Sequence, residues 1–214
     1  MKRIKRIVFI LAVLLAGGLN LHAQTENFNT WIEFEFEKEF LDKLEFSITP
    51  ELRFEDQFKL DEYMIQGKLT YEAFSFLDLA AAYRISTEVK NKGNETYHRW
   101  AFDAQFKREF ARFEGSVRTR LTNYTDSSEE DPGTYFRPRA KVEYDIKNNK
   151  IEPFISYELF RNMTSAEWHK TRFDAGFSRD LGNLHRIEIY YRLHNYFDDK
   201  ASVHILGIGY RLKF

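Results

Sequence analysis

Cysteine is absent from the 214 residues, and with it go disulfides, thiolate metal sites, cysteine nucleophiles and the lipid-bearing cysteine of a bacterial lipoprotein. Whatever stabilises the fold is not sulfur. A surplus of charge is missing too: Lys+Arg 32 stand against Asp+Glu 33, a formal net charge of -1. No basic field exists to gather nucleic acid, so no nucleic-acid partner is expected. Glycine and proline are scarce, at 10 and 4, while aromatics make up 17% and charged residues 30%. Such a chain has both a greasy surface and a charged one to place. There is no Gly-rich phosphate loop, and 214 residues suit one domain better than two.

Long apolar runs are absent but for one. Lys2, Arg3, Lys5 and Arg6 precede an unbroken apolar stretch from Ile7 to Ala16, the charged and hydrophobic regions of a secretory signal peptide. The stretch falls short of the ~20 residues that span a bilayer as a helix. Cleavage after Ala23 is expected, giving a signal peptide over residues 1–23 and a mature domain over 24–214. Nothing after Gln24 resembles a transmembrane helix.

From Asn27 onward the hydrophobic period is two almost to the last residue, which predicts strands throughout. Phe28, Ile32, Phe34, Phe36 and Phe40 share one face of the first segment, with Glu33, Glu35, Glu37 and Glu39 on the other. The same sorting sets Leu44, Phe46 and Ile48 against Glu45, Ser47 and Thr49, and later Ile187, Ile189 and Tyr191 against Arg186, Glu188 and Arg192. About eleven such segments of roughly 10 to 13 residues follow one another, a length suited to tilted membrane strands. Short connections (41–43, 73–76, 108–112, 147–150, 181–184) alternate with longer polar ones (56–62, 90–95, 125–133, 162–167, 197–201). That is the order of periplasmic turns and external loops in a membrane barrel.

Alternation by itself also fits a soluble lipocalin-like barrel with its apolar face inward. The export signal, the alternating loops and the aromatics near strand ends, such as Phe40, Tyr83, Trp100, Trp168 and Tyr210, favour lipid outside. The expected fold class is therefore all-β, an antiparallel up-and-down transmembrane β-barrel of 10 to 12 strands after a cleaved signal peptide, located in the bacterial outer membrane. Its expected partners are outer-membrane lipid and the barrel insertion machinery, which reads a terminal aromatic like Phe214. An odd count is awkward: single-chain bacterial barrels usually have an even number of strands and both termini in the periplasm. Either Gln24 to Thr30 supplies a short extra strand, or the first segment does not join the wall.

With lipid outside, the charged face fills the lumen. Arginines such as Arg53, Arg84, Arg118, Arg137, Arg172 and Arg192 are matched by acids such as Glu33, Glu51, Asp103, Glu158 and Asp174. Balanced signs favour a lattice of cross-strand ion pairs plugging a narrow barrel over a selective charge-lined pore. A third possibility is a lipid hydrolase at the external rim. His169, His194 and His204 fall near the external ends of the last strands, beside Ser165, Glu167, Asp198, Asp199 and Ser202, residue types that make a serine, histidine and acid arrangement or a weak metal site. By parity His194 faces the lumen while His169 and His204 face outward, which separates them. Glu33 and Glu35, two apart among arginines, read as lattice members before they read as an acid/base pair. No catalytic residue, metal or cofactor is expected.

Thr30-Trp31 in the first strand, Glu51-Leu52-Arg53-Phe54 in the second and Gly207-Ile208-Gly209-Tyr210-Arg211-Leu212-Lys213-Phe214 at the end resemble the motifs of a family of small uncharacterised outer-membrane β-barrels, a domain of unknown function. The likeness covers the mature chain. It implies export and a barrel, and brings no activity or site residues with it.

Overall fold

The computed structural model describes residues 27–55, 58–123, 133–198 and 200–214; the expected signal peptide lies outside them. Eleven strands run in chain order: β1 (Asn27–Leu41), β2 (Leu44–Glu55), β3 (Lys59–Phe74), β4 (Leu77–Glu88), β5 (Glu95–Phe110), β6 (Phe113–Thr122), β7 (Tyr135–Tyr144), β8 (Ile151–Asn162), β9 (Trp168–Asp180), β10 (His185–Tyr196) and β11 (Val203–Lys213). Each pairs with the next as an antiparallel hairpin, and the sheet closes on itself through β1 and β11. Closure leaves no described strand with an unpaired edge.

The closing pair departs from the all-antiparallel expectation. An odd number of hairpin-linked strands brings the first and last together running the same way, so β1 and β11 pair in parallel, from Asn27↔Val203 to Glu37↔Lys213. Among the described residues the strand count is eleven. Residues 27–30 form the start of β1 rather than a separate strand, and the first segment is part of the wall. It pairs in continuous register with β11, and with β2 apart from one irregularity between Glu39 and Leu41.

One end of the barrel carries the tight connections. Ala111, Asn148 and Gly182 take positive φ there, at 56°, 61° and 83°, the left-handed conformation that reverses a chain in few residues. The opposite end carries most of the longer loops, among them the segment 89–94 with Gly93 at φ 122°; the exceptions are 56–58 at this end, shorter than expected, and 145–150 at the other, which is as long as 89–94.

Burial is inverted relative to a water-soluble barrel. Phe34, Phe36, Leu69, Phe102, Phe106, Ile155, Phe177 and Ile189 are exposed on the outward face, whereas Arg53, Glu51, Arg118, Arg137, Glu158, Lys170 and Asp174 are buried. The outward apolar surface runs around the whole wall, far beyond the few hundred Å² (roughly) of contiguous apolar patch that soluble monomers expose.

Candidate functional site: a half-filled charged lumen

The pleat sends every second side chain inward, and the register then decides which charges meet. Around Glu158 on β8, three guanidiniums converge. Arg118 Nη2 donates to its Oε1 at 2.5 Å, Arg137 Nε at 3.2 Å, and Arg172 Nη1 to its Oε2 at 3.3 Å. Arg118, Arg139, Glu158 and Arg172 are cross-strand neighbours in one hydrogen-bonded row, so the cluster follows directly from inward-facing positions on β6 to β9. Phe160, two residues on along β8, is fully buried, with Arg137, Lys170 and Arg172 over its ring at 4.1, 4.9 and 5.1 Å. A ring face is the one apolar surface that attracts cations, so Phe160 packs among them without displacing their charge.

A second knot lies on β1 and β2. Arg53 donates through Nε to Glu51 at 2.7 Å and through Nη1 to Glu62 at 2.8 Å, and its guanidinium lies 3.7 Å over the Trp31 ring. Arg192 approaches Trp31 from β10 at 5.0 Å while bonding Asp174 at 2.7 Å. His194 meets the Trp31 ring edge-on at 5.9 Å and accepts from Arg172 Nε at 2.9 Å. With buried Tyr135, Arg99 and Thr122, these groups occupy the lumen toward the long-loop end.

The ion-pair lattice expected from the sequence is present, but it does not fill the barrel. Toward the tight-turn end a cavity of about 640 Å³ remains, reaching the turn residues Asp42 and Lys43. Thr49, Thr70, Ala80 and Ser116 supply part of its wall, and these short side chains leave the space that arginines take up further along. Eleven strands also enclose a wider interior than the minimal eight, which side chains just fill.

The histidine constellation is divided between surfaces. His194 lies in the lumen, as above. His204 points outward and pairs with the Tyr191 hydroxyl, whereas His169, expected outward, lies edge-on between the rings of the buried Tyr135 and of Tyr196, at 6.0 and 5.7 Å, where a register shift between β8 and β9 breaks the parity. The Ser202 hydroxyl donates to Asn195 Oδ1 at 2.9 Å, Asp198 accepts from the Lys200 amide at 3.3 Å, and the Ser165 amide is bound by Asn162. Asp199 lies outside the described residues. No group of three or more His, Asp or Glu side chains among the described residues is placed to hold a metal ion.

Sequence reading by apolar and polar faces missed Trp31, Phe160 and Tyr190 as lumen residues. Parity alone finds them: Phe160 is two residues from Glu158, and Trp31 two from Glu33.

Among solved structures with a similar fold is the beta domain of the Bordetella autotransporter Brka, with a TM-score of 0.50 at 13% identity, covering 82% of this chain and 86% of that one. The likeness is one of fold. No curated protein matches the chain by sequence. The family description "Protein of unknown function (DUF2490)" matches residues 28–204, and the chain, a closed eleven-strand barrel with a charged lumen, belongs to that family.

Proposed function

We propose that the protein is an outer-membrane barrel whose lumen is closed by its own side chains, and that it acts through the surfaces at its two ends rather than as a channel. The observation that carries this reading is the filling of the long-loop half by the Glu158 cluster and Phe160, with Glu158, Arg137 and Phe160 fully buried. An ion crossing there would have to separate buried, mutually bonded charges, each costly to leave unpaired. Placement in the outer membrane is supported by the continuous outward apolar surface and by tight turns at one end with longer loops at the other, which orients the tight-turn end toward the periplasm.

The test is fractionation of the expressed protein, gel mobility with and without boiling, and conductance in planar bilayers. The reading expects outer-membrane protein that runs faster unboiled and gives no conductance steps. Protein found soluble in the periplasm overturns the membrane half of the proposal, and clear single-channel steps from the wild-type chain overturn the closed lumen.

A further inference from the structure

The open half of the lumen has walls of opposite net charge. Glu33, Glu35, Glu37 and Glu45 line it from β1 and β2, while Arg118, Arg120, Arg139 and Lys141 outnumber Glu114 and Glu143 on the wall made by β6 and β7. The registers set these walls face to face. In one direction the hydrogen-bonded row through Arg118 passes Gln105, Asp78 and Glu72 and ends at Lys43, beside the last residues of β1. In the other it passes Arg139, Glu158, Arg172 and His194 and ends at Val203, the partner of Asn27 at the start of β1. A row that meets β1 at both ends has the middle of β1, with Glu33 and Glu35, half a turn away across the lumen.

Most of these charges have partners of their own. Glu35 takes Lys68 and Arg211, Glu37 takes Arg211 and Lys213, and Arg120 forks onto Asp103 with two bonds of 2.7 Å. Two groups on opposite walls do not. Among the described residues, neither Glu33 nor Arg139 has a hydrogen bond or an ion pair; Arg84 and Arg192, whose charges reach Glu33, are engaged by Glu51 and Asp174. Glu158, beside Arg139 in register, is taken up by three other arginines. Next to Arg139, Arg118 is only 9% exposed and its Nε has no partner among the described residues. Beside Glu33 stands Gly209, with no side chain to crowd it. A buried donor left open on a cavity wall is costly unless a ligand completes it.

We propose that this vestibule binds a small zwitterionic solute of about dipeptide size, its carboxylate held by Arg118 and Arg139 and its ammonium by Glu33. Eleven tilted strands put opposite Cα atoms roughly 22 Å apart. The extended arginine and glutamate side chains take up about half of that, leaving room for charged ends a few bonds apart. The arginine fork is suited to a carboxylate and Glu33 to an ammonium, so neither end alone uses the whole site. Access from the tight-turn end rests on the closed-lumen reading; binding itself does not.

The experiment is isothermal titration calorimetry on the folded chain in detergent micelles, with three probes: the dipeptide Ala-Ala, its N-acetyl form and its C-terminal amide. Ala-Ala binds, and each capped form, lacking one charge-assisted contact, binds about tenfold more weakly or worse. Glu33→Gln weakens Ala-Ala to the level of the N-acetyl form without changing that form's own affinity, whereas Arg139→Gln weakens both. No binding of Ala-Ala, or binding of the N-acetyl form as tight as that of Ala-Ala, overturns the proposal. The wild-type comparison of the three probes decides the matter even if a variant does not fold. A wild-type barrel that conducts in bilayers overturns the closed lumen and leaves this titration unaffected.

Discussion

Gly207 lies beneath the ring of Tyr190: a Cβ added at Gly207 would overlap three of the ring's atoms. The two residues are opposed across β11 and β10, and on the far side of Tyr190 the paired residue is Gly176, where a Cβ would meet the Ile189 carbonyl and Tyr190 Cβ. Tyr190 therefore lies flat along the lumen wall over glycine, a cross-strand pairing in which the ring covers the backbone that glycine leaves bare.

Gly207→Ala should destabilise the barrel by about 1 to 3 kcal/mol, the usual cost of forcing extra atoms into a packed site. Gly209, two residues along the same face, is the control: its added Cβ meets Glu188 Cβ at 3.6 Å, an ordinary contact, so Gly209→Ala should shift the urea unfolding midpoint little. Equal effects at the two positions would mean that the glycines matter for strand conformation and not for the Tyr190 ring. Gly207→Ala combined with Tyr190→Ala should recover part of the loss.

Glu158→Gln should be among the most damaging lumen substitutions. It keeps the shape but removes the one charge on which Arg118, Arg137 and Arg172 converge, leaving buried guanidiniums facing one another. Breaking a buried pair by removing one partner costs about 3 to 5 kcal/mol. By contrast Glu55→Gln, whose bond to Lys59 is exposed, should be nearly silent. Denaturant unfolding in detergent separates the two, and similar midpoints would show that the lumen cluster is hydrated enough to behave like surface.

The strands, their faces and the alternation of turns and loops were legible because they depend on neighbours one or two residues apart. Glu33 to Glu39 opposite Phe34 to Phe40 needs no tertiary knowledge. What was not legible depends on register and closure. Glu158 is forty residues from Arg118, and nothing local says that this arginine, rather than Arg120, reaches it. The parallel β1 and β11 pair follows from strand parity, but an even-strand expectation obscured it. The vestibule is set by barrel radius and by short side chains such as Thr49, Ala80 and Ser116 lining the same cavity, a coincidence of three separate strands. Trp31 and Phe160 were missed for a simpler reason: they were placed on neither face, although parity with Glu33 and Glu158 puts them inward.

The turn between β5 and β6 holds Ala111 at φ 56°, a conformation that costs an L-residue with a Cβ about 1 kcal/mol. Ala111→Gly should therefore stabilise the barrel by about that amount, less what glycine's freedom in the unfolded chain returns. Gly182→Ala, at φ 83° between β9 and β10 with nothing near the added Cβ, should destabilise through the backbone alone. Paired thermal melts test both, and a stabilised Gly182→Ala variant would contradict the turn geometry.

If the long-loop half of the lumen is what stops ions, emptying it should open the barrel. Phe160 and Arg137 are among the largest fully buried side chains, and they stack on each other at 4.1 Å. Removing the ring alone leaves Arg137, Lys170 and Arg172 with less to hold them apart, but their long stems still fill the space. The double variant Phe160→Ser with Arg137→Ser takes out both and keeps Glu158 paired with Arg118 and Arg172. It should give conductance steps where the wild type is silent. The steps should favour anions, because Lys170, Arg172 and Arg118 remain around a single carboxylate and a ring of one sign sets selectivity. A double variant that folds, as judged by gel mobility without boiling, yet stays silent would place the constriction elsewhere. The Arg53, Trp31 and Arg192 stack on the opposite wall would then be the barrier, and Trp31→Ala the substitution that opens it.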